Sequence, residues 1–255
     1  MGRQDPTSPR ALDAVWGPLR RLTAARVGLP RSGASLGTPA LLDFRLAHAR
    51  ARDAVHAELD MDALEAALRP LGLPVLRVRS AAAERSTYLM RPDLGRRLDE
   101  ASRDVLRRLP GGQDLCVVIG DGLSAGAAQQ HTLPLLENLL PLLRAHEWSL
   151  APLVLLRHAR VATSDDIGQA LRVGCALVLL GERPGLSSPD SLGAYLTWAP
   201  RVGRTDAERN CVSNIRPQGL APALAAAKLA YLLSRMRKCG VSGVALKDGM
   251  PDALE

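Results

Sequence analysis

Hydrophobic and polar positions change their rhythm near residue 113. Upstream, apolar residues recur at three- and four-residue steps. Downstream come short, continuous apolar runs separated by longer amphipathic stretches. Leu115-Cys-Val-Val-Ile119, Ala151-Pro-Leu-Val-Leu-Leu156 and Cys175-Ala-Leu-Val-Leu-Leu180 read as buried strands. Their unbroken apolar character suits a parallel sheet covered on both faces. Between them lie a helix running from the Gly120–Ala125 turn to about His146 and another over Asp165–Val173. Strand, helix, strand, helix, strand with short turns predicts a right-handed parallel α/β unit. Leu192–Trp198 is a further strand, antiparallel to the rest. Ala221–Lys238 is a closing helix with Pro222 in its first turn and Leu224, Tyr231, Leu232 and Met236 as its face. Its last turn is basic, and Gly240 stops it.

The upstream third is helical in pattern. Pro6, Pro9, Pro30 and Pro39 punctuate residues 1 to about 40, and the arm over 1–37 is partly irregular with one short helix around Ala11–Arg26. Thr38-Pro39 supplies an N-cap and a first-turn proline for a helix through Leu41, Leu42, Leu46 and Val55. A second helix, Met61–Leu68, ends before Pro70. Val75-Leu-Arg-Val-Arg79 alternates as a half-exposed strand does. Arg91-Pro-Asp93 opens a helix with a stripe at Leu94, Leu98, Ala101, Val105 and Leu109, closed by Pro110-Gly-Gly112. The chain thus divides into an arm (1–37), a helical subdomain (38–112) and an α/β domain (113–255).

Composition narrows the classes. The chain has 255 residues, 47% of them hydrophobic, enough for a substantial core. No apolar run is long enough for a membrane span, and the first residues lack an apolar signal core. The net charge is +7, carried almost wholly by arginine, since lysine occurs only at 228, 238 and 247. Aromatics make up only 3% of the chain and the arginines are scattered, so nucleic-acid binding is not expected. Cys116, Cys175, Cys211 and Cys239 show no paired spacing, which fits a reducing cytoplasm. With five histidines and no ligand-spaced cluster, no metal site is expected; His48 and His56 read as surface or packing residues.

The candidate chemistry lies from Gly181 to Leu220. Gly181-Glu-Arg-Pro-Gly-Leu186 follows the third strand, at the sheet edge where open α/β proteins bind ligands. The whole stretch reads as a long, Gly-, Pro-, Asn-, Asp- and Arg-rich functional loop. Glu182 and Arg183 form either a local ion pair or groups that accept from and donate to a ligand. Cys211 lies in a polar context but has no histidine downstream to activate it, so it is a contact and not a nucleophile. Gly120-Asp-Gly-Leu-Ser-Ala125 fits a dinucleotide fingerprint. Arg157 and Arg160, where an acid would normally stand, leave an NADP-dependent oxidoreductase as an alternative. Asp121 between the two glycines argues against a pyrophosphate there.

Leu89-Met-Arg-Pro-Asp-Leu-Gly-Arg-Arg-Leu98, Val118-Ile-Gly-Asp-Gly-Leu-Ser124, Gly181-Glu-Arg-Pro-Gly-Leu186, Asp190-Ser-Leu-Gly-Ala-Tyr195 and Arg209-Asn-Cys-Val-Ser-Asn-Ile215 occur in one order. On these motifs the chain resembles the small subunit of ethanolamine ammonia-lyase, an adenosylcobalamin-dependent bacterial enzyme, from about Arg20 to Gly243. The resemblance implies a Rossmann-like, parallel-sheet cobalamin-binding domain over 113–255, preceded by the mainly helical subdomain. It implies a large partner subunit that binds ethanolamine, in a hexamer of large–small pairs, and radical deamination to acetaldehyde and ammonia after Co–C homolysis. Cofactor contacts carry over to Val161, Glu182 and Cys211, with Arg160, Gly181 and Arg183 flanking them and no catalytic residue on this chain. The Asp-x-His-x-x-Gly motif that supplies a lower cobalt ligand in many cobalamin domains is absent, which implies a base-on cofactor with no protein ligand to the metal. The enzyme would lie in the cytoplasm, either free or within a bacterial microcompartment. A protein retaining only the partner contacts is the other alternative.

Overall fold

Continuous apolar strands need helices on both faces, and the central sheet has them. The computed structural model describes residues 9–250, so the first eight residues of the arm and the last five of the chain lie outside the described residues. By compactness the chain forms two units, residues 1–53 with 185–189, and residues 54–184 with 190–255.

In the first unit, α1 (Pro9–Leu22) leads to a two-stranded ribbon, β1 (Arg31–Ser32) and β2 (Ser35–Leu36), turned at Gly33. Then comes α2 (Thr38–His56), whose last residues enter the second unit. The Thr38-Pro39 start is as the sequence predicts. None of the residues of α2 is buried, although it carries Leu42, Phe44 and Leu46. His48 and His56 are exposed on it.

The second unit continues with α3 (Met61–Leu68), β3 (Val75–Arg79), α4 (Arg85–Met90) and α5 (Glu100–Arg107). The alternating units follow: β4 (Leu115–Gly120), α6 (Ala125–Ala145), β5 (Leu153–Arg157), α7 (Thr163–Leu171) and β6 (Cys175–Gly181). It closes with β7 (Leu192–Trp198), β8 (Arg209–Ile215) and α8 (Pro222–Cys239). The sheet order is β3-β5-β4-β6-β7-β8. The first four strands run parallel, and β7 and β8 are antiparallel additions. This is a mixed α/β fold with a mostly parallel sheet. Alternate residues of the strands feed two cores. Leu115, Val117, Leu155, Leu177 and Leu179 pack with α3, α6 and α8, while Cys116, Val118, Val154, Val178 and Leu180 pack with α5 and α7. Each fully buried leucine contributes about 1.5–3 kcal/mol.

Several expectations need correction. The helix predicted from Arg91 starts only at Glu100, where Asp99 caps it by accepting from Ser102 N at 2.8 Å. Residues 94–96 form a 3-10 turn instead, because the Gly95 carbonyl accepts from Thr163 Oγ1 at 2.6 Å and Arg160 N at 3.1 Å. The short helix α4 is not visible in the pattern. The Gly181–Leu220 stretch is not one long loop, since β8 runs through it as well as the expected strand β7. Leu224 is exposed, and α8 buries Ala225, Ala226, Leu229, Leu232, Leu233 and Met236. Gly240, in the left-handed region at φ 69°, ends that helix as expected. Among the described residues no helix is long and apolar enough to cross a membrane.

Candidate functional site

After β4 the chain goes to one neighbour, β5, and after β5 it returns past β4 to the other, β6. The carboxyl ends of β4 and β6 therefore flank the point where strand order reverses, the usual ligand crevice of open α/β sheets. Here glycines let the loops close on each other. A Cβ on Gly122 would fall 2.2 Å from the Gly181 carbonyl oxygen, and one on Gly181 would fall 1.9 Å from that of Ser124. Leu123 N donates to Gly181 O at 2.9 Å. Gly181 must therefore be glycine for the two loops to approach each other.

The fingerprint turn is occupied from within. Asp121 is buried and accepts from Ala159 N at 2.8 Å, His158 N at 3.0 Å and Arg85 Nη1 at 3.2 Å. Arg85 also donates to Gly122 O at 2.8 Å and, through Nε and Nη2, to Val55 O. These bonds fasten the β4 and β5 tips to α4. Glycine here serves backbone packing, and the carboxylate would repel a pyrophosphate, so the nicotinamide alternative finds no support.

The open groups lie one strand further, over β6, β7 and β8. Glu182 N bonds Ser191 O at 2.8 Å, extending the ladder one step past Gly181. Strand alternation puts Glu182 on the same side as Val178 and Leu180. Its carboxylate lies over Gly193, where a Cβ would sit 2.8 Å from Oε1. Ser213 Oγ donates to Oε1 at 2.5 Å, Asn214 N donates to Oε2 at 3.2 Å, and Ser191 Oγ also donates to Oε2. Asn214 itself lies in the left-handed region, at φ 59°. The other possibility, an ion pair with Arg183, is not what Glu182 forms; Arg183 is exposed on the following loop.

Cys211 stands opposite Tyr195, which stands opposite Val178, so thiol and phenol share the Glu182 face. Cys211 is exposed, whereas Cys116 and Cys175 are buried in the strands. Burial by its neighbours, then the Glu182 charge, pushes the Cys211 thiol up, against a hydrogen bond from the Tyr195 hydroxyl. Tyr195 is raised too, by burial first and then by Cys211 and Glu182. A raised thiol is a poor nucleophile, in keeping with a contact role.

Val161 lies after β5, half-buried against the same core cluster as Tyr195. Arg160 is held inward. Its guanidinium lies 4.5 Å from the Tyr88 ring centroid and donates to Tyr88 O at 3.2 Å. Tyr88 itself donates to Ala159 O at 2.9 Å, and burial pushes its hydroxyl up to about 12. Sequence reasoning did not single out Ser191, Gly193, Tyr195 or Ser213. All four lie within the Asp190–Tyr195 and Arg209–Ile215 motifs, but only the folded chain brings them together, with Tyr195 opposite Cys211 and both serines bonded to Glu182.

The geometry defines an α/β chain whose polar, partly open cluster lies beside the switch point, on strands added to a parallel sheet. A family profile described as ethanolamine ammonia-lyase light chain (EutC) matches residues 13–247. An ethanolamine ammonia-lyase small subunit of Azotobacter vinelandii is 55% identical over 242 residues, 93% of this chain and 90% of that one. The small subunit of Pseudomonas aeruginosa strain LESB58 is 55% identical over 237 residues, covering 91% and 87%. That of Pseudomonas putida strain W619 is 51% identical over 252 residues, covering 97% and 91%. The chain belongs to the ethanolamine ammonia-lyase light-chain family, and so to a lyase.

Proposed function

We propose that this chain is the cobalamin-holding small subunit of an adenosylcobalamin-dependent ethanolamine ammonia-lyase, acting with a large subunit that binds ethanolamine. Supporting this is one observation above all: in a chain 55% identical to named small subunits, Glu182 is held rigidly beside the switch point of an α/β sheet. In this reading residues 113–255 are a Rossmann-like cobalamin domain, and residues 1–37 and 38–112 are its arm and helical subdomain.

The residues suit the group. Glu182 has three donors already and, as a carboxylate, room for about one more. That acceptor fits an amide side chain of a corrin ring. Cys211 and Tyr195 add polar contacts on the same face, and Val161 adds an apolar one. Arg160 and Gly181 shape the tips that carry Val161 and Glu182, while Arg183 meets the ligand's rim. When bound, the cofactor supplies the radical chemistry of the deamination to acetaldehyde and ammonia, while this chain supplies grip and orientation. At the β5 tip, His158 Nδ1 lies 2.8 Å from Ala82 O and its ring stacks on Tyr88 with centroids 5.8 Å apart. The ring is also buried, only 4% exposed, so its remaining nitrogen is no open cobalt ligand, which favours a base-on cofactor. A base-off spectrum of the bound cofactor would overturn that point.

A partner would explain the first unit's surface. Val15, Leu22 and Leu42 are 61%, 83% and 57% exposed, apolar surface that a large subunit would cover. We take the assembly to be a hexamer of large–small pairs in the cytoplasm, free or within a microcompartment. The test is co-purification with the large subunit and adenosylcobalamin, followed by an ethanolamine-to-acetaldehyde assay. Activity requiring both chains and the cofactor is expected; association without turnover, or no association, would sink the reading.

A further inference from the structure

A glutamate side chain on a strand tip normally samples several rotamers, and a ligand that needs one of them must freeze it. Glu182 is frozen beforehand. Its two oxygens are held from two places in the chain: Ser191, which leads into β7, and Ser213 with Asn214 N, both in β8. Gly193 leaves the space the carboxylate fills, and the β7–β8 register shifts at this point, between Leu192 and Ala194. Oε2 has two donors and Oε1 has one, so the open acceptor site is on Oε1, whose single donor is Ser213.

We propose that Ser191 and Ser213 are positioning residues. They fix the Glu182 carboxylate in one orientation, so that the open site on Oε1 meets an N–H donor of the ligand without reorganisation, and Gly193 is glycine to leave room for it. This rests on the reading that Glu182 contacts cobalamin. Preorganisation of this kind acts on affinity through the group it holds and vanishes when that group is removed.

The experiment is a double-mutant cycle on the full chain assembled with its large subunit. The readout is adenosylcobalamin retained after gel filtration and its dissociation constant, followed by the cofactor's visible absorbance. Ser213→Ala is expected to weaken retention by about tenfold, the size expected for one hydrogen bond to a charged group. Ser213→Thr keeps the hydroxyl and is expected to retain near-native affinity. In a Glu182→Ala background, Ser213→Ala is expected to change nothing further. Ser191→Ala should follow the same pattern, and Gly193→Ala should weaken binding while leaving the circular-dichroism spectrum intact. Equal weakening by Ser213→Ala with and without Glu182, or failure of threonine to rescue, would overturn the positioning role while leaving the Glu182 contact standing. Unchanged affinity in Glu182→Ala, or no binding by the native complex, would overturn the contact itself and the proposal with it.

Discussion

The ion pair between Arg209 and Asp165 offers the sharpest test of how β8 is held. Both side chains are almost fully buried, at 3% and 2% exposure. Arg209 Nη1 and Nη2 donate to the two Asp165 oxygens at 2.7 and 2.6 Å, and further to Thr197 Oγ1 at 2.9 Å and Arg204 O at 3.0 Å. Burial works against the Arg209 charge, but the bonds to Asp165 overcome it and hold the guanidinium above its ordinary range. Asp165→Asn keeps the shape and removes the charge, leaving the buried cation only the exposed Asp206 carboxylate, 3.5 Å from its Nε. Breaking one side of such a pair costs about 3–5 kcal/mol, a large share of a typical total of about 5–15 kcal/mol. With a urea dependence of about 2–3 kcal/mol/M, the unfolding midpoint should fall by about 1–2 M. Urea titration of the purified chain, followed by far-ultraviolet circular dichroism, measures it. Two controls bracket the result. Asp93→Asn, which breaks an exposed pair with Arg91, should leave the midpoint in place. The double variant Asp165→Leu with Arg209→Met should recover most of the loss, because apolar replacement of both partners removes the uncompensated charge. A shift below about 0.5 M for Asp165→Asn would refute the reasoning, since the pair would then be no stronger than an exposed one. The outcome bears on function, because Arg209 begins the strand that carries Cys211 two residues later.

Gly122→Ala should destabilise, since it places a Cβ 2.2 Å from Gly181 O at φ 54°, whereas Gly126→Ala, in a helix with open space around it, should stabilise by about 0.5–1 kcal/mol; thermal melts of the two decide. Cys211 should alkylate with iodoacetamide at neutral pH more slowly than an unperturbed thiol despite its exposure, and more slowly still with adenosylcobalamin bound in the assembled enzyme; peptide mass mapping checks both. Hydrogen bonds from Thr205 N, then Arg204 and the Thr205 hydroxyl, hold the Glu208 carboxyl down at about 2. A folded value below the unfolded 4.5 means that this contribution is complete above pH 4.5 and lost as the pH falls toward 2, so Glu208→Gln should lower the melting temperature above pH 4.5 and remove this group's share of the fall between pH 4.5 and 2.

Strand identity was legible in this chain wherever burial acts on both faces. Leu115–Ile119 and Cys175–Leu180 were legible because they are short, apolar at every position and bounded by glycine turns, as a strand covered on both sides is. Leu192–Trp198 was legible too, antiparallel orientation included. β8 was not, because it is an edge strand: Val212 and Ile215 are buried while Cys211, Ser213 and Asn214 face solvent, and a mixture of that kind looks like loop. The helix misread at Arg91 fails for another reason. Its stripe was real, but Gly95 answers to Arg160 and Thr163, partners that no local period reveals, and the helix begins only past that contact, capped by Asp99. The candidate site divides along the same line. Glu182 could be suspected from a Gly-Glu-Arg-Pro turn after a strand, because that is a local signal. Its clamp could not, since Ser191 and Ser213 lie nine and thirty-one residues away and reach it only through the β6–β7–β8 register. The residues that orient a binding group sit on whichever strands the topology brings beside it. In this sheet those are the two antiparallel strands, which place polar edge residues next to a switch point otherwise sealed by glycine packing.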